Sequence, residues 1–160
     1  MKILFLIVVS FFSTSIYSQK SFKIDQIDSL ASLIRLSNLP VQHDTISQEF
    51  PALSLSMKTY LTMIIDSREL KKYVSKVKTV QKENGVSKEM ITGTAFYYDQ
   101  NKLIKVEEFA VHDENEELFA WYFSDNECIY HTLQSDKAES RAALLIEMSN
   151  AILKKIFPQN

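Results

Sequence analysis

Glycine is almost missing from this chain: Gly85 and Gly93 are the only two in 160 residues. A phosphate-cradling loop and the tight elbow that presents a nucleophilic serine both need closely spaced glycines, so neither can be written here. Cysteine is scarcer still. Cys128 stands alone, which excludes an internal disulfide, and an unpaired thiol in an oxidising compartment is safest when buried. The three histidines, His43, His112 and His131, show no metal-ligand spacing among themselves, so no metal site is read. No excess of positive charge is present either. Eighteen basic residues against twenty acidic ones give a formal net charge of −2, and no general attraction to nucleic acid follows.

The first residues carry a different signal. Lys2 precedes an apolar run, Ile3 to Phe12, and the small and polar Ser13-Thr14-Ser15-Ile16-Tyr17-Ser18 follows it. A basic start, about ten apolar residues and a short polar tail have the form of a secretory signal peptide. The run is too short to span a bilayer, which takes about 20 apolar residues, and no second long apolar segment follows. Residues 1–18 are therefore read as a leader and residues 19–160 as a single α+β domain, with cleavage after Ser15 as the alternative. The Ser18-Gln19 junction resembles the cleavage sites of exported proteins from Bacteroidetes-like bacteria. The expected location is the periplasm or the outside of the cell, with no membrane insertion after cleavage.

Along the chain, Ile27, Leu30, Leu33 and Ile34 recur at helical spacing within Ser21 to Asn38, ahead of Pro40. Val41 to Asp44 reads as a connector, and Thr45-Ile46-Ser47-Gln48 has the form of a capping box. From Leu53 the set Leu53, Met57, Tyr60, Leu61 and Ile64 falls on one helical face, while Leu53, Leu55 and Met57 also alternate as a strand would. Length favours a second N-terminal helix. The β-branched residues after Tyr73 and the Asn84-Gly85 pair predict a strand and hairpin, with the lysines suiting an edge strand. A last helix is expected over Lys137 to Phe157, capped by Ser135 or Asp136, with Ala138, Ala142, Leu145, Ser149, Ile152 and Ile156 on its apolar stripe and Lys154 and Lys155 in its final turn.

Between these lies an aromatic-rich run, Ile91 to Leu133, which reads as an antiparallel meander. Two-residue loops at Gln100-Asn101, Glu114-Asn115 and Asp125-Asn126 place Ala95 opposite Val106, Glu108 opposite Trp121 and Trp121 opposite Tyr130. One face then collects Ile91, Gly93, Ala95, Tyr97, Ile104, Val106, Ala110, Phe119, Trp121, Phe123, Cys128 and Tyr130, with Gly93 and Ala95 leaving room for the last helix. The register is sensitive, because one added residue inverts every face downstream of it. The fold class expected is α+β: N-terminal helices, a meander of four to five strands and a C-terminal helix packed on the sheet.

Candidate functional groups follow from this layout. Glu108 is the one carboxylate on the apolar face, where desolvation would raise its pKa and fit it to act as an acid, base or ligand anchor. A register error, a place near the helix rim or an ion pair with a lysine explains it without chemistry. The opposite face is too apolar to stay wholly in water. It is either covered by the N-terminal helices or partly open as a surface lined by Tyr98, Phe109, Tyr122 and His131. Asp113, Asn115 and Glu117 alternate like calcium ligands, but the glycine and distal glutamate of such a loop are missing, so an acidic turn is read. Charge is segregated: Arg68 to Lys88 holds seven basic and two acidic residues, and Glu107 to Glu127 holds eight acidic residues with no lysine or arginine. These runs are either complementary neighbours or separate contact surfaces.

No nucleophile–base pair is legible and no cofactor motif appears. The sequence points to a non-enzymatic exported binding module that contacts a protein or a small apolar ligand through the meander. The alternatives are a cup-like enzyme using Glu108 or His131, and an envelope assembly protein that pairs through its edge strand.

Overall fold

A computed structural model describes residues 20–83, 86–112 and 115–158. The expected leader, the Asn84-Gly85 turn and the Asp113-Glu114 pair lie outside the described residues. The described residues fall into two units, one ending at Leu36 and one beginning at Ser37. In the first, helix α1 runs over residues 20–36, with Ile27, Ala31 and Ile34 along one stripe and the Ser29 hydroxyl donating to the Asp25 carbonyl at 2.8 Å. This agrees with the predicted helix to within two residues at each end.

The second unit is a seven-stranded antiparallel sheet in simple chain order, followed by a helix. The strands are β1 Val41–Phe50, β2 Leu55–Asp66, β3 Glu69–Glu83, β4 Val86–Asp99, β5 Lys102–His112, β6 Asn115–Ser124 and β7 Glu127–His131, and α2 spans Ala138–Ile156. Four to five strands is thus an undercount. The connector and capping box are β1, and the expected second N-terminal helix is β2. A short 3-10 turn at Pro51–Leu53 joins them. β2 mimics a helix because it is apolar on both faces. Met57, Leu61 and Met63 point one way and Tyr60, Thr62 and Ile64 the other, so its apolar residues fall at helical as well as alternating spacing. The lysine-bearing strand is β3, and it lies between β2 and β4 rather than at an edge. The edges are β1 and β7. Local pairs such as Lys78–Glu89 at 2.7 Å neutralise part of the basic run.

Three hairpins share one form at one end of the sheet. Ser67-Arg68, Gln100-Asn101 and Asp125-Asn126 all have positive φ at both turn positions, the geometry that matches strand twist in two-residue hairpins. In each hairpin the third residue after the turn, Lys71, Ile104 or Ile129, has no partner in the register and forms a bulge. Before each bulge an apolar pair points at α2: Ile65 with Leu70, Tyr98 with Leu103, and Phe123 with Cys128. The Asn101 carboxamide oxygen accepts the Leu70 amide at 2.8 Å and ties the first two of these hairpins together.

The bulges correct the predicted faces. Two of the predicted loops are in place, but the extra residue shifts the pairing by one, so Phe96 rather than Ala95 opposes Val106 and His131 rather than Tyr130 opposes Trp121. The third loop is displaced as well: Glu108 opposes Phe119, and Val106 opposes Trp121. The face under α2 therefore carries Leu70, Phe96, Tyr98, Leu103, Val106, Trp121 and Phe123, which join Ala138, Ala142 and Leu145 in the core. Each large side chain fully buried there contributes about 1.5–3 kcal/mol. The stripe of α2 is the one its periodicity predicts, but the cap is not: the N-cap is Lys137, with no side-chain cap bond, and Ser135 Oγ only accepts the Lys137 amide ahead of the helix at 3.2 Å. Cys128 is half-buried at the core margin, with its thiol directed at the Tyr130 carbonyl.

Gly93 and Ala95 face away from α2. Gly93 instead opposes Phe109, whose ring lies across it. The same outer face holds a buried polar cluster in which the Tyr97 hydroxyl donates to Glu107 at 2.8 Å, Lys105 Nζ stands 2.7 Å from the other Glu107 oxygen, and Lys105 lies over the Tyr122 ring.

Candidate functional site

Helix α2 is narrower than the sheet beneath it and leaves parts of one face uncovered. It sits over the rung Tyr73–Phe96–Val106–Trp121, in which cross-strand partners stand side by side. The next two rungs toward the far ends of the strands are Leu61–Ser75–Thr94–Glu108–Phe119 and Thr59–Val77–Thr92–Ala110–Glu117. Seven residues of these rungs, Ser75, Val77, Thr92, Thr94, Glu108, Ala110 and Phe119, bound a groove of about 520 Å³ together with Leu133, Ser135 and Lys137 ahead of α2 and Arg141 in its first turns. Its floor is apolar, from Val77, Ala110 and Phe119, and three hydroxyl groups from Ser75, Thr92 and Thr94 are set among them. A few polar groups on a mainly apolar surface of this size is the usual make-up of a small-molecule site.

Glu108 and Arg141 form one wall. Arg141 Nε donates to both Glu108 oxygens at 3.1 and 3.2 Å, and Nη2 closes onto Oε1. A two-point contact fixes the orientation of both groups. The Glu108 carboxylate pushes the Arg141 guanidinium above its ordinary pKa, chiefly through this hydrogen bond, with partial burial opposing it. Glu108 thus stands on the helix side of the sheet as expected, but its partner is an arginine and both of its oxygens are engaged. Arg141 was not singled out in the sequence. Its position beside Ala138, Ala142 and Leu145 on the rim of the apolar stripe is the signal that points a cation at the sheet.

A second groove of about 380 Å³ flanks the other end of α2. Leu61, Met63, Ile65, Tyr73, Ile152 and Ile156 line it, with Asp44 and Lys155 at its rim. Burial raises the Tyr73 phenol above its ordinary value.

The four residues expected to share a surface are divided between the faces. Tyr98 is fully buried beneath α2, its hydroxyl near Ser149 but with no hydrogen-bond partner among the described residues, and burial, the largest influence on it, pushes its pKa up to about 12. His131 is on the same face, its ring tilted against that of Trp121 at 5.3 Å, with Nδ1 donating to the Leu133 carbonyl at 2.9 Å. Phe109 and Tyr122 are on the outer face, the first over Gly93 and the second buried beside Lys105. Glu108 and His131 are on different rungs with β6 between their strands, so they form no acid–base pair. The indole Nε1 of Trp121 is buried with no acceptor among the described residues.

Among the described residues no group of His, Cys, Asp and Glu side chains is placed to hold a metal ion, and no helix is long and apolar enough to cross a membrane. Asp113, of the calcium-like alternation, lies outside them. No family model, curated protein or solved structure matches the chain.

Proposed function

We propose that this protein is a non-enzymatic binding module, exported by its leader, that holds a small and largely apolar molecule on the sheet face beside α2. The observation that carries this reading is the groove itself: parts of two rungs of the sheet left open by α2, with an apolar floor and an ion-paired wall. The Glu108–Arg141 pair favours binding over catalysis. A carboxylate with both oxygens engaged orients a ligand better than it abstracts a proton. Lys137, at the mouth of the groove and the start of α2, adds a positive charge where the helix dipole also favours an anion. A ligand with an apolar body and one acidic group fits this distribution. Export rests on the form of residues 1–18, a basic residue, an apolar run and a small polar tail.

Titration with anilinonaphthalene sulfonate, an apolar fluorophore bearing one anion, tests the reading. Saturable one-site binding is expected, together with a loss of at least tenfold in affinity in Thr94→Phe, which fills the groove from its floor. Lack of saturable binding, or equal binding by the variant, would overturn it.

A further inference from the structure

The edge strand β1 carries an inference independent of the groove. All ten of its residues are exposed, and among the described residues it pairs with β2 alone. Which backbone groups it leaves free follows from the ladder. The Ser54 carbonyl accepts the Lys82 amide at 2.9 Å, so the even-numbered residues of β2 point their amides and carbonyls at β3 and the odd-numbered ones at β1. Even-numbered β1 residues face these odd-numbered partners, as in Asp44 with Leu61 and Ile46 with Thr59. The amides and carbonyls of Val41, His43, Thr45, Ser47 and Glu49 therefore point outward. The Thr45 amide agrees: it turns to its own neighbour, Asp44 Oδ1, at 2.7 Å.

Natural edges of this length are usually blunted by lysine, proline or a bulge. β1 has prolines only beyond its ends, at Pro40 and Pro51, and carries no lysine or arginine. Its bulge-free register with β2 keeps it regular throughout.

We propose that β1 pairs antiparallel with β1 of a second copy, which joins two sheets into one about a two-fold axis through Ile46. A two-fold perpendicular to the sheet keeps matching faces on the same side, so opposed residues must have the same parity. With Ile46 on the axis, His43 stands opposite Glu49 of the second copy, Thr45 opposite Ser47 and Asp44 opposite Gln48. No like charges meet, and the imidazole–carboxylate pair occurs twice. Moving the axis to Thr45 or Ser47 sets Glu49 against Val41 or Thr45 and loses that pairing. The centred register also matches the backbone. The outward residues form the hydrogen-bonded pairs, and Ile46 falls at a non-hydrogen-bonded position, where side chains approach most closely.

The test uses the protein as secreted by an expression host, in a Cys128→Ser background so that the only thiol is the introduced one. Sedimentation equilibrium is expected to show a concentration-dependent rise from the monomer mass to twice that mass. Ile46→Cys is expected to form a covalent dimer on mild oxidation, because cross-strand Cα atoms at such a site lie within disulfide range. Gln42→Cys, which meets Phe50 of the second copy, is expected to form no covalent dimer on the same oxidation. Ser47→Pro removes an outward amide and leaves the β1–β2 ladder intact, so it should abolish the dimer with an unchanged thermal midpoint. A monomer at every concentration, crosslinking at position 42 equal to that at 46, or a dimer that survives Ser47→Pro with its fold intact would overturn the proposal. A monomer that takes up only a foreign extended peptide counts against it as well.

Discussion

The Phe109 ring lies across Gly93 so closely that a Cβ on that glycine would stand 2.2 Å from the ring Cζ. The two residues are direct cross-strand partners on β4 and β5, and the missing side chain of one is the seat of the other. A glycine inside a strand ordinarily weakens it by about 0.5–1 kcal/mol relative to alanine, and an aromatic ring laid over it recovers the loss.

This relationship gives a prediction with a change of sign. Gly93→Ala in the native protein should destabilise by about 1–2 kcal/mol, because the half-buried ring must move. The same substitution in a Phe109→Ala background should stabilise by about 0.5 kcal/mol, since only the strand preference remains. Urea unfolding of the four proteins of the cycle measures both values. Equal effects in the two backgrounds would show that the ring does not occupy this site.

The pair Glu108–Arg141 is the link from the start of α2 to the sheet. Arg141→Ala leaves a mostly buried carboxylate without its cation and should cost about 1–3 kcal/mol. Glu108→Gln keeps the shape and loses the charge, and should cost less. A double-mutant cycle with chemical denaturation is expected to return a coupling of about 1 kcal/mol for a pair this exposed on the arginine side.

Alkaline pH addresses the core beneath the helix. The folded Tyr98 phenol titrates near 12, above the value of 10 in the unfolded chain, because burial disfavours its charged form. A raised pKa contributes stability that is fully present below pH 10 and is lost as the pH rises from there through 12. Tyr98→Phe should lie within about 1 kcal/mol of the native protein at neutral pH. It should unfold at higher pH than the native protein when both are followed by circular dichroism. An identical alkaline transition would place the loss elsewhere.

Asn101 ties the turn between β4 and β5 to the start of β3. It sits at positive φ and its side chain accepts the Leu70 amide. Asn101→Ala removes both advantages and should cost about 1–3 kcal/mol, whereas Asn101→Gly restores the backbone freedom and should recover about half. Amide exchange at Leu70 reports the lost bond directly, with faster exchange in both variants.

How far the sequence reveals this structure depends on what each feature leaves in composition. The two helices leave a 3.6-residue apolar period, and both are legible, Ala138–Ile156 down to its buried Ala142, Leu145 and Ser149. The turns at 100–101 and 125–126 are legible because asparagine and aspartate tolerate positive φ. The bulges at Ile104 and Ile129 are not. They relieve twist in the ladder, and an isoleucine that forms a bulge looks the same as one that is paired. That single unseen residue moves Tyr98 from the outer face to the core and parts it from Phe109. β1 is hidden for another reason: with every residue exposed it has no alternation to read. Glu108 is legible as a misfit on an apolar face, but Arg141 lies 33 residues away, and only the packing of α2 brings it near.

A ligand-binding surface on the open sheet face beside α2 must respond to an apolar anion. Backbone amide chemical shifts of the 15N-labelled protein titrated with dodecanoate test it most directly. Saturable shifts are expected only in the groove, at Val77, Thr92, Thr94, Phe119 and Lys137, with Tyr97 and Glu107 on the outer face unmoved. Shifts centred on the outer face, or none at a saturating concentration, would contradict it.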